Sequence, residues 1–135
     1  MIEYSENPLD TALRIVAHEP KYQPNFQKIL LDSKIYIIGQ TAAHTTENKP
    51  VLMPGQNIAI LNWETRNGSP VIPIFSSLHH LQSCISEQVN YMAFPARILF
   101  TMTLGAILIL NPKSEYMKEL MPTEITGLLQ HTVLH

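Results

Sequence analysis

His80 and Cys84 stand four residues apart, with His79 beside them. On a helix, the imidazole and the thiol would share one face within reach of a single ion. Zinc takes at least three protein ligands, and the other histidines, His18, His44, His131 and His135, form no second compact pair. The expectation is therefore no metal and no cofactor, with the pair sitting on a packed or surface helix. A nucleophilic Cys84 would need a base and a lowered thiol pKa; set between Leu81 and Ile85, it reads as a small buried hydrophobe. Ser76-Ser77 follows an extended run but lacks the glycines of a G-x-S-x-G turn, so helix capping accounts for it better. Glu115 and Glu119 would share a helical face with Lys113 and Lys118 alongside, a salted surface rather than an acid pair. The glycines are too dispersed for a phosphate loop. These readings leave no catalytic residue.

Two stretches carry residue types suited to contact. Trp63 and Arg66 lie beside Asn67-Gly68, a hairpin signal, and both types are enriched at interface hot spots. The other reading is a core tryptophan with a solvated arginine. The stretch from Thr41 to Gly55 holds the polar run TTENK, including Glu47 and Asn48, and two prolines. Such a composition builds no core, so an exposed loop is expected, a binding loop or a plain connection. The candidate partner-binding residues are thus Trp63, Arg66, Asn67, Glu47 and Asn48. Arg97, in an apolar segment, should pair with a carboxylate such as Glu87 or point toward a ligand.

The elements that must position these residues follow from periodicity and punctuation. Asn7 as N-cap, Pro8 and Asp10 open a first helix with Leu9, Leu13, Val16 and Ala17 as its stripe, Asp10 and Arg14 on the other side, and Pro20 as its end. Residues 23–32 form a second helix with Phe26, Ile29 and Leu30 on one face. Ile35 to Ile38 reads as a central strand ending at Gly39, and extended runs follow at 57–65, 71–75, 89–94 and 106–110. Ser76 or Ser77 caps a helix with Leu78, Leu81 and Ile85; Pro95 opens another. Asn111-Pro112 stops the last strand, Ser114 opens a helical turn with Tyr116, Met117 and Leu120, and Pro122 begins a final helix with Ile125, Leu128 and Leu129. This order predicts an α+β single domain, a mixed sheet of about five strands with helices packed on it. Between Gly68 and Pro112 only Glu87 and Arg97 are charged, which assigns most of the core to that half.

Composition sets outer limits. The chain has 135 residues and a formal charge of -2, from nine Lys and Arg against eleven Asp and Glu. That balance disfavours nucleic acid, which demands a basic surface. With a single cysteine no internal disulfide can form, which suits a reducing cytoplasm. The start, MIEYSENPLD, lacks the basic and apolar regions of a secretory signal. The apolar run from Met92 to Leu110 approaches the roughly 20 residues of a membrane span, but Pro95, Arg97 and Gly105 interrupt it.

Taken together, NPLDTALRIVAHEPKYQPNFQKILLDSKIYIIG, GSPVIPIFSSLHHLQSCI and PARILFTMTLGAILILNPKSEYMKEL resemble the N-terminal domain of the enhanced serine sensitivity (SseB) family. The resemblance covers nearly the whole chain. It departs at Met121, where a small capping hydroxyl is expected before Pro122, and the chain ends at His135 without the second domain of longer relatives. The expected organisation is one SseB-like N-terminal domain over 1–135 and no second domain. The resemblance implies a bacterial cytoplasmic domain named for a serine-sensitivity phenotype, and it brings no catalytic residue.

The functional expectation is a non-catalytic cytoplasmic binding module that acts by stoichiometric contact with another protein, such as a toxin or an enzyme. An immunity or antitoxin-like protein or a regulatory adaptor would fit. The alternative is a small-ligand (amino-acid) sensor or an enzyme accessory subunit linked to serine metabolism. A homodimer is left open.

Overall fold

A computed structural model describes residues 6–41, 58–64, 70–85 and 88–133. The first helix, α1 (Pro8–His18), begins where expected: Asn7 is its N-cap, with its side-chain oxygen accepting from the Asp10 N–H at 2.8 Å. Leu9, Ala12, Leu13 and Val16 form the buried stripe, whereas Ala17 is exposed. A 3-10 turn (Pro20–Tyr22) leads into α2 (Gln23–Leu31), which buries Phe26, Leu30 and Leu31.

The strands are β1 (Lys34–Thr41), β2 (Ile58–Ile60), β3 (Trp63–Glu64), β4 (Pro70–Phe75), β5 (Tyr91–Pro95), β6 (Ile107–Leu110) and β7 (Lys118–Leu120). All seven belong to one mixed sheet. β1 pairs antiparallel with β5 along one edge and with β4 along the other; β4 pairs parallel with β6, and β6 antiparallel with β7. The short β2 and β3 extend β1 and β4. β1 runs past Gly39, which pairs with Ile60, because β2 supplies hydrogen-bonding partners beyond the glycine.

Alternation along the strands builds two cores. Ile35 and Ile37 of β1, Ile72 and Ile74 of β4, and Leu108 and Leu110 of β6 join the buried stripes of α1, α2, α4 (Ala96–Met102) and α5 (Pro122–Val133). On the opposite face, Ile38 and Phe75 pack with Leu81 and Cys84 of α3 (Leu78–Cys84), and Tyr36, Leu61 and Trp63 lean on them. Burying each large apolar side chain contributes about 1.5–3 kcal/mol. The charge-poor half does not supply most of this core, because the amphipathic α1 and α2 bring Leu9, Leu13, Phe26 and Leu30 to it from the salted half.

The segment after β6 also departs from the helical expectation. Asn111 and Lys113 both take positive φ, 52° and 68°, and the Ser114 hydroxyl is shared between the carbonyl oxygens of Asn111 (2.6 Å) and Tyr116 (3.1 Å). This turn sends the chain back along β6, with Leu108 opposite Leu120. Glu119 therefore lies on β7 and Glu115 in the turn, so the two do not share a helical face. Among the described residues no helix is long and apolar enough to cross a membrane.

Candidate functional site

The parallel pairing of β4 and β6 brings their C-terminal ends together, and the first polar residues beyond them, Ser76 and Asn111, meet there. Asn111 donates its backbone N–H to the Ile74 carbonyl (2.8 Å), and its side-chain oxygen accepts the Ser76 N–H (2.9 Å). Asn111 Nδ2 donates to Ser76 Oγ at 3.0 Å and approaches Asp10 Oδ1 at 3.4 Å. The Ser76 hydroxyl donates in turn to Asp10 Oδ1, and Asn7 Nδ2 donates to the Ser76 carbonyl at 3.0 Å. Asp10, Ser76 and Asn111 are all buried. They fasten the amino end of α1 to the ends of two strands. The dipole of α1 favours the carboxylate, since Asp10 lies in its first turn.

α3 adds His80, whose Nε2 lies 3.5 Å from Asp10 Oδ1. Burial pushes the imidazole below its ordinary pKa, with the Asp10 carboxylate opposing the shift. A serine-protease relay sets histidine between serine and aspartate. In this cluster the serine proton goes directly to the carboxylate, so the residue types of a triad are present in a different wiring. Asp10 Oδ2 is buried with no hydrogen-bond partner. Asp10, His80, Asn111 and Tyr116 help to line a cavity of about 150 Å³. Tyr116 is held by His18 of α1, whose Nε2 is 3.1 Å from its hydroxyl. Glu6, also on the lining, is gripped by Arg14 through two 3.0 Å hydrogen bonds, which hold its carboxyl below its usual pKa.

The residues singled out from the sequence fall elsewhere. Trp63 is half-buried against the second core, and Arg66, Asn67, Glu47 and Asn48 lie outside the described residues. The Thr41 to Gly55 stretch is likewise described only at Thr41. His80 and Cys84 do share α3, but Cys84 packs into the second core, where burial raises its thiol pKa against the opposing pull of Lys113, while His80 turns to Asp10. Among the described residues no group of three or more His, Cys, Asp or Glu could hold a metal ion. Arg97 pairs with Asp32 at 2.9 Å on the surface, linking α4 to the end of α2, rather than with Glu87, which lies outside the described residues. Ser77, not Ser76, caps α3 by accepting the His80 N–H.

Asp10 and Asn111 escaped sequence reasoning. Asp10 looked like an outward partner of Arg14, but its side chain is only 6% exposed and Arg14 turns to Glu6. The usable signal was the first polar residue after each apolar run, because parallel strands gather their ends.

The family model for the SseB protein N-terminal domain matches residues 9–127. The chain is 34% identical over 125 residues to Protein SseB of Escherichia coli strain K12, and likewise to Protein SseB of Shigella flexneri. Each alignment takes in 93% of this chain and 46% of the relative, so the chain spans about half the length of the curated relatives it matches. No solved structure matches it. The match runs from α1 into α5: the chain belongs to the SseB N-terminal domain family.

Proposed function

We propose that this chain is a non-catalytic cytoplasmic module that works by stoichiometric contact with another protein, as an immunity-like protein or a regulatory adaptor. One observation carries the reading: apolar side chains suited to contact are exposed while the Ser76 hydroxyl and the Cys84 thiol are buried. Met117 (56% exposed) and Met121 (41%) flank β7, the strand at one end of the sheet, and Ile98 and Leu104 are also exposed. Methionine is adaptable at binding surfaces, and a sheet edge offers backbone groups to a partner. By contrast, Ser76 is committed to Asp10 and Cys84 carries a thiol with raised pKa, which supports a structural role for both. Trp63 and Arg66 remain candidate anchors.

The test is capture of the tagged chain, expressed at native level in its own cells, followed by quantitative mass spectrometry. One partner should return near equal stoichiometry and be lost from a folded Met117→Glu, Met121→Glu double variant. Recovery of the chain alone would contradict the reading.

A further inference from the structure

β5 (Tyr91–Pro95) is the outer strand at one end of the sheet, and among the described strands only β1 pairs with it. The hydrogen-bond phase of that ladder fixes what its other side presents. The Gly39 N–H donates to the Asn90 carbonyl (3.0 Å) and the Ala96 N–H to the Ser33 carbonyl (2.9 Å), just outside the Ile38–Tyr91 and Lys34–Pro95 pairs. Those two pairs are therefore not hydrogen-bonded to each other. By alternation Met92 and Phe94 bond to β1, while the backbone groups of Tyr91, Ala93 and Pro95 point away from it. Among the described residues no further hydrogen bond engages the backbone of Tyr91 or Ala93. Proteins blunt such edges with charge or brevity. β7, the outer strand at the other end, has three residues, among them Lys118 and Glu119. β5 has five residues and no charge, and its Tyr91 is 47% exposed.

We propose that β5 pairs antiparallel with β5 of a second copy about a two-fold axis at Ala93, joining the two sheets into one. Such pairing needs an outward-bonding residue that can face itself, and Ala93 stands at the middle of the strand. Each Ala93 N–H then donates to the other Ala93 carbonyl, and each Tyr91 N–H to the Pro95 carbonyl across the axis. The missing proline N–H leaves only the Tyr91 carbonyl of each copy to water. The side chains match in the same register. Met92 stands opposite Phe94 of the second copy, a sulfur–aromatic pair, and Tyr91 opposite Pro95. Met92 and Phe94 are only partly buried against the first core, so both have surface left to cover. No like charges meet. The same operation on β7 would set Glu119 against Glu119, which disfavours that edge. This self-matching register favours a second copy over a foreign strand as the occupant. β7, with Met117 and Met121 beside it, stays open at the far end of the sheet, so the pairing is separate from the contact proposed above.

Sedimentation equilibrium of the full chain should give a dimer, twice the 15.3 kDa of one chain. Ala93 is exposed, so Ala93→Lys leaves the fold intact while setting two ammonium groups across the axis. Dimerisation should weaken by about tenfold or more, whereas Glu119→Lys should leave it unchanged. Hydrogen exchange of the wild-type chain supplies a reading that depends on no variant: the Ala93 amide should be protected, and should lose that protection on dilution to monomer. A chain still monomeric at about 1 mM would overturn the proposal. If the Ala93 amide is nonetheless protected in that monomer, another segment of the same chain occupies the edge. A dimer whose affinity is unchanged by Ala93→Lys, or whose Ala93 amide exchanges freely, would overturn it as well.

Discussion

The three polar groups of Ser76 are all engaged inside the fold: its N–H with Asn111, its hydroxyl with Asp10 and Asn111, its carbonyl with Asn7. Deleting the hydroxyl leaves a buried carboxylate short of a donor, so Ser76→Ala should lose about 1–3 kcal/mol in urea denaturation. A loss below about 0.5 kcal/mol, as for an ordinary surface change, would mean the cluster does not clamp the fold. His80 adds a pH dependence whose sign is fixed by the direction of its shift. Its folded pKa is lowered from 6.5, so below that value the unfolded chain binds the proton more readily than the folded one. Its contribution is therefore present above pH 6.5 and lost as pH falls below it. Thermal unfolding should show wild type losing more stability than His80→Gln between neutral pH and the mid-fives; parallel curves would remove His80 as the cause. None of this chemistry was legible from residue spacing. Asp10, Ser76 and Asn111 are separated by 66 and 35 positions, and only the parallel pairing of β4 and β6 brings the last two together.

Punctuation residues and capping explain why so many elements were readable one at a time. Asn7 with Pro8, Ser77, and Pro122 each act within one turn of chain, and α1, α3 and α5 start at them. Asn7 also donates to Ser76, so Asn7→Ala should cost more than the ~1 kcal/mol of a lost cap. A ΔΔG no larger than that of the Ser77→Ala cap would show the link to Ser76 to be idle. Gly105 enters β6 with φ +91° in open space, since a Cβ there would meet nothing within 4 Å. Gly105→Ala is thus expected to destabilise by about 1–2 kcal/mol from backbone strain alone, measurable by denaturation. β7 was read as a helical turn because Tyr116, Met117 and Leu120 have helical spacing. Its extended form is imposed from outside the segment, by pairing with β6 and by the two positive-φ residues before it. The same holds for Gly39, which looked like a strand end until β2 paired beside it.

Across the whole molecule, the α+β class and the mixed sheet follow from the order of periodic segments, whereas strand order does not. A parallel β4–β6 pair flanked by antiparallel neighbours depends on which apolar faces meet, and a run such as Ile107 to Leu110 does not specify its partner. The two faces it creates differ. Among the described residues one is covered by four helices and the other by α3 alone, and Met117 and Met121 are left exposed on either side of an edge strand. A module acting by contact should hold affinity in such a surface and not in the buried polar cluster. Trp63 is a poor probe of that claim, since its ring packs on the second core and truncation would change stability as well. The most direct measurement is isothermal titration calorimetry of the chain against the partner recovered from its cells. The prediction is one partner per chain, with binding weakened by more than about 1 kcal/mol in the Met117→Glu, Met121→Glu variant and unchanged in Cys84→Ser. A partner that turns over in the presence of the chain as substrate, or an interaction that Cys84→Ser abolishes, would contradict it.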